Sequence, residues 1–145
     1  MRGVLNGLVA ETARTTIVDL EAGLEHLSRG TARHVDTLFI VGEPYFKSLE
    51  TASRSFALAQ DLGIDQIRMV ANKVRTPRDE ETVREFAGRH GLPLAGVVPF
   101  DDAVITADQQ GAALIEYQPA APSVTAIRRL AEEVLSGDGA GRRGR

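Results

Sequence analysis

The sequence predicts an α/β fold in which a mainly parallel sheet is flanked by helices. Three observations lead there. Four short β-rich runs are spread along the chain: TTIVDL (Thr15–Leu20), TLFIVGE (Thr37–Glu43), IRMVANK (Ile67–Lys73) and AGVVPF (Ala95–Phe100). Three of them are close to continuously apolar, the pattern of strands covered on both faces. Helix-period segments separate them, and strands alternating with helices build β–α–β units.

Taken in order, the chain opens on a short helical segment, VLNGLVAET, that leads directly into the Thr15–Leu20 strand. After the second strand, SLETASRSFALAQDLG sets Leu49, Ala52, Phe56 and Ala59 on one helix face and stops at Gly63. RDEETVREFAGRHG begins with Asp79 and further acidic residues, buries Val83 and Phe86, and stops at Gly91. SVTAIRRLAEEVL takes Ser123 as its N-cap and carries Val124, Ile127, Leu130 and Val134 as its apolar stripe. Residues 1–136 therefore form the domain. The segment 137–145, GDGAGRRGR, has nothing to bury and reads as a disordered Gly/Arg tail.

With 145 residues, the chain suits one domain with one core, and 43% hydrophobic with 26% charged residues is ordinary for a globular protein. A net charge of −3 leaves no electrostatic footprint for nucleic acid or an anionic membrane. No run has the length of a membrane-spanning helix, and the first residues lack the pattern of a secretion signal. Without cysteine the chain forms neither a disulfide nor a thiolate metal site by itself. The expectation is a cytoplasmic protein with no nucleic-acid or membrane partner.

Acidic side chains at the carboxyl end of a strand raise the question of a phosphate-bound metal. Asp19 ends the first β-rich run and is followed by Glu21 and Gly23, an acid at a strand tip and then a glycine where a loop approaches something closely. The same residues fit a plain loop with Asp19 as a turn cap, and spacing alone leaves both readings open. A Walker-type phosphate loop, G-x-x-x-x-G-K-[ST], is absent from the chain. Its nearest imitation, GEPYFKSLE, is one residue short, has Phe46 in place of the second glycine and loses a donor at Pro44. Lys47-Ser48 is therefore read as part of a strand-to-helix turn.

Asn72-Lys73 follows an apolar strand. The Asn72 carboxamide offers a donor and an acceptor suited to the edge of a purine, and it equally suits the start of a turn before Thr76-Pro77. Pro99-Phe100-Asp101-Asp102 reads as a strand end followed by an acidic helix start, with Asp101 or Asp102 as an ordinary N-cap. His26, His34 and His90 are scattered, and Glu25-His26 is read as an exposed helix face.

Taken together, DLEAGLEHLSRGTARHVD, the strand leading to EP and KSLETA, NKV, and PLAGVVPFDDAVITAD resemble the C-terminal half of a deviant-Walker ATPase of the MinD/ParA-like family. The match is best to its CooC-type, nickel-inserting members, which mature carbon monoxide dehydrogenase. The resemblance covers nearly all of residues 1–136, with DxEAGxEHLxRGTARxVD as its most specific element. It implies a partial P-loop NTPase domain lacking the phosphate-loop strand, which would lie between the Thr15–Leu20 and Thr37–Glu43 strands. It further implies ATP/ADP with Mg²⁺ as cofactors. Asp19 would organise Mg²⁺, through water, and the attacking water. Glu21-Ala22-Gly23 would form the second switch. Asn72, with Lys73 beside it, would read adenine, and the backbone of Pro99, Phe100 and Asp101 would wall the base pocket.

The resemblance also implies a homodimer around two nucleotides, or a complementing N-terminal half, and a client metalloenzyme. The family's phosphate loop, first switch and C-x-C metal pair are missing from these residues. The expectation is therefore a piece of such an ATPase, cut short by truncation or a misplaced start and inactive alone. The alternative is a non-catalytic binding module that pairs with a full-length relative or another half-protein through its sheet edge. A flavodoxin-like or receiver domain fits the order of acidic residues less well.

Overall fold

The computed structural model describes residues 15–20 and 34–141. Their elements run β1 (Leu38–Gly42), α1 (Phe46–Asp61), β2 (Ile67–Val74), α2 (Pro77–His90), β3 (Leu94–Pro99), α3 (Asp102–Gln109), α4 (Leu114–Tyr117) and α5 (Pro122–Gly141). The strands form one sheet in the order β1-β2-β3, every pair parallel. The α/β fold with a parallel sheet flanked by helices is thus the one expected. β1 pairs with β2 from Leu38↔Ile67 to Gly42↔Ala71, whereas the β2–β3 ladder slips between Ala71 and Val74.

The faces follow from strand periodicity. Leu38 and Ile40 of β1, Ile67, Met69 and Ala71 of β2, and the α1 and α2 residues Leu49, Ala52, Ala59, Val83 and Phe86 make one buried cluster, with Val97 of β3 packed against it. Gly96 points the other way, and a Cβ there would stand 2.8 Å from Leu130 Cδ2 of α5. Helix α5 therefore covers the opposite face at β3. Val41 of β1 stays 62% exposed.

Local signals explain the helix ends. α2 opens on a capping box in which Thr76 Oγ1 accepts from Asp79 N–H (3.1 Å) while Asp79 Oδ2 accepts from Thr76 N–H (3.0 Å), with Pro77 in the first turn. It closes on Gly91 in the left-handed region, φ 63°.

Four expectations need correction. Thr15–Leu20 is not a strand: Thr15 to Asp19 are exposed without regular structure, and only Leu20 packs against the core. β-rich composition makes a strand only where a neighbour completes the ladder, and no described strand pairs with this run. Ser123 is not an N-cap. It lies inside α5, buried, because its hydroxyl and N–H are spent on another loop. Ile127 is not part of a buried stripe but is 53% exposed, since α5 packs on β3 and not across the whole sheet. The fourth is the helix stop, since α5 continues to Gly141, into the stretch assigned to the tail. Glycine costs about 1 kcal/mol against alanine in a helix interior, which is why composition alone ends the helix earlier.

Candidate functional site at the carboxyl ends of β2 and β3

Open parallel α/β sheets bind ligands in the crevice beyond the carboxyl ends of their strands, and most of the residues singled out from sequence lie there. Val74 at the end of β2 pairs with Pro99 at the end of β3, and its carbonyl accepts from Phe100 N–H at 2.9 Å. The Arg75 guanidinium lies 3.4 Å over the Phe100 ring, a cation–π contact of about 0.5–1 kcal/mol at an exposed site. These contacts bring Asn72-Lys73 and Pro99-Phe100-Asp101 onto one rim.

On the β3 side the anchor is Asp101. It caps α3, Oδ1 accepting from Ala103 N–H at 3.0 Å. Its Oδ2 accepts from Ser123 Oγ at 2.8 Å and from Ser123 N–H at 3.2 Å. One carboxylate thus ties together the first turns of α3 and α5. The hydrogen bonds from Ser123, side chain first and backbone second, hold the Asp101 carboxyl below the usual carboxylate range. The N-cap expected from sequence is present. The second helix bound to it was not legible, because Ser123 lies far along the chain and reads locally as a cap of its own helix.

The β2 side is held differently. Lys73 has φ 55°, the one non-glycine residue with positive φ among the described residues. Asn72 Oδ1 accepts from Lys73 N–H at 3.0 Å, and Lys73 Nζ reaches Glu43 Oε1 at the end of β1 at 2.9 Å. The hydrogen bond and charge of Glu43 raise the Lys73 pKa. Glu43 N–H in turn donates to Ser48 Oγ at 2.8 Å. Glu43 was not singled out from sequence, and an acid before a proline carries no signal of a partner thirty residues away. Lys47 and Ser48 lie in the first turn of α1, so no phosphate loop forms there.

Other expectations stand apart from this rim. Asp19 is exposed in a segment without regular structure and is not joined to the rim by any described contact. Its carboxylate has the oxygen chemistry of a Mg²⁺ ligand or of a holder of Mg²⁺-bound water. The described residues contain no cluster of three or more metal-ligating side chains, so Asp19 fits the ion as one contributor only. Glu21 and Gly23, with His26 and the opening helical segment, lie outside the described residues. His90 stacks on Phe86, ring centroids 4.0 Å apart, and its Nδ1 lies 2.9 Å from the Phe86 carbonyl oxygen, a helix-end role.

Comparison with known proteins identifies the fold and the family. The fold is that of P-loop ATPases of the MinD type: MinD from Aquifex aeolicus superposes with a TM-score of 0.64 at 16% identity over 79% of this chain and 50% of that one. MinD from Pyrococcus horikoshii, solved with Mg-ADP, superposes at 0.57 with 21% identity over 70% and 42%. By sequence, the carbon monoxide dehydrogenase accessory protein CooC of Rhodospirillum rubrum is 39% identical over 120 residues, 83% of this chain and 45% of its own length. An uncharacterised ATP-binding protein of Methanocaldococcus jannaschii is 40% identical over 112 residues, 77% and 43%. No family model matches the chain. The chain belongs to the MinD/ParA-like ATPase family, on its CooC-type branch, and spans about half the length of the curated relatives it matches.

Proposed function

We propose that this chain carries the base-binding and switch portion of a nucleotide site in a CooC-type ATPase serving metallocentre assembly. The observation that carries the reading is the joining of Asn72-Lys73 and Pro99–Asp101 on one rim at the carboxyl ends of β2 and β3. The 39% identity to CooC supports it. Asn72 takes the edge of adenine, and the backbone from Pro99 to Asp101 walls the base. Asp19 holds Mg²⁺ through water, and Glu21-Ala22-Gly23 responds to the terminal phosphate. When bound, Mg²⁺ neutralises charge on the phosphates. The client is a metalloenzyme receiving nickel, and the working assembly is a dimer around two nucleotides or a pair with a phosphate-loop half.

The 145 residues contain no phosphate-loop lysine motif, and that loop supplies much of the electrostatic stabilisation of phosphoryl transfer. The chain alone is therefore expected to hydrolyse no ATP and to gain turnover when the phosphate-loop half of a CooC-type relative is added. Turnover by the pure chain, or none in the reconstituted pair despite complex formation, overturns the reading.

A second reading rests on β1. Its outer edge pairs with no described strand and Val41 beside it is 62% exposed, which favours a non-catalytic module that docks a partner strand. A stable complex that forms equally with and without nucleotide would select it.

A further inference from the structure

Backbone strain away from glycine persists only where surrounding structure over-determines it, and it gathers at ligand sites. Lys73 is such a position, at φ 55° beside the slip in the β2–β3 ladder. A lysine gains nothing there by itself, since the left-handed region crowds its Cβ against the carbonyl. Two contacts fix it. Nζ is tied to Glu43 across the β1–β2 gap at 2.9 Å, and the backbone N–H donates to Asn72 Oδ1 at 3.0 Å.

The second contact has a chemical consequence. A carboxamide on its own flips at little cost and presents donor and acceptor in either order. Here Oδ1 is pinned to the neighbouring N–H, so the order is set. The oxygen keeps its second lone pair, and the amino group has no hydrogen-bond partner among the described residues. Among the described residues no buried side-chain nitrogen or oxygen lacks a partner, so that amino group is not a buried, unpaired donor.

We propose that Lys73 is a specificity-determining positioning residue: its left-handed backbone, held by the Glu43 ion pair, locks the Asn72 carboxamide in the order that accepts adenine and rejects guanine. Adenine presents N7 as acceptor beside the N6 amino donor, complementary to an amino group and an oxygen in fixed order. Guanine presents two acceptors, N7 and O6, and sets O6 against the pinned oxygen. This inference rests on the reading of Asn72 as the base contact and adds what orients it.

The test is a titration of the ¹⁵N-labelled 145-residue chain with AMP and with GMP to millimolar concentration, following the Asn72 side-chain amide signals. The wild type is expected to respond to AMP at about tenfold lower concentration than to GMP, the low end of the discrimination one bidentate pair supplies. Lys73→Gly, which adopts positive φ without strain, keeps that ratio. Lys73→Val, whose branched side chain opposes positive φ, brings it toward parity, and Glu43→Gln narrows it while leaving the backbone sequence intact. An unchanged ratio in both Lys73→Val and Glu43→Gln, or an equal loss in Lys73→Gly, overturns the lock and leaves the base contact standing. No response of Asn72 to AMP in the wild type, or backbone shifts and affinity unchanged in Asn72→Ala, overturns the base contact itself.

Discussion

The ends of β2 and β3 meet at one rim yet are secured by opposite means. At β3 the loop is held by a half-buried carboxylate that accepts from Ala103 N–H, Ser123 N–H and Ser123 Oγ, with every residue in ordinary backbone conformation. At β2 the chain is bent through a strained lysine, and the side-chain ties described there are two exposed ones, an ion pair whose Lys73 side chain is 55% exposed and the stacking of Arg75 on Phe100. Exposed ion pairs contribute about 0–1 kcal/mol, whereas a helix cap alone is worth about 0.5–2 kcal/mol. The β3 side is built as a fixed wall, and the β2 side as a part whose orientation can be altered at little cost to the fold.

Substitutions should separate the two. The largest effect is expected at Asp101→Ala, which removes the α3 cap and strands the buried Ser123 N–H and hydroxyl. About 3 kcal/mol of unfolding free energy should be lost in denaturant titration. A loss below 1 kcal/mol would put the β3 wall on a par with the β2 side. Ser123→Ala follows at about 1 kcal/mol, because Asp101 keeps its backbone donors.

Acid should sharpen the contrast. The Asp101 pKa is depressed in the fold by its Ser123 bonds, so its contribution is present above the ordinary carboxylate pKa and lost as pH falls through the folded value. The stability gap between wild type and Asp101→Asn should therefore close under strong acid, and a gap that widens there would contradict the assigned bonds.

At the β2 side, Lys73→Gly relieves left-handed strain but removes the ion pair and loosens the unfolded chain, so stability should change by less than about 1 kcal/mol in either direction. The smallest effect belongs to Glu43→Gln, within about 0.5 kcal/mol and vanishing in high salt. Changes larger than those at Ser123 would reverse the comparison.

Much of this is legible in the sequence. Near-continuous apolar runs located β1, β2 and β3, and the Asp79 and Gly91 signals bounded α2, because these features act between residues a few positions apart. Asp101 as an N-cap belongs to the same class. The Thr15–Leu20 run reads as a strand because Ile17 and Val18 favour a pleated, half-buried surface, but no described strand provides one. The short helix α4, without a side-chain cap hydrogen bond or a buried residue, left no pattern to find.

By itself the sequence determined the alternation of strands and helices and the parallel sheet, since these follow from local periodicity and caps, while the family was carried by the resemblance of its motifs to those of known members. Only the tertiary structure decided that Ser123 serves Asp101 rather than its own helix, that Glu43 holds Lys73, and that Lys73 is bent into the left-handed region. Each of those depends on groups brought together from distant positions, where the geometry of the sheet, and not the preference of any residue, sets which donor meets which acceptor.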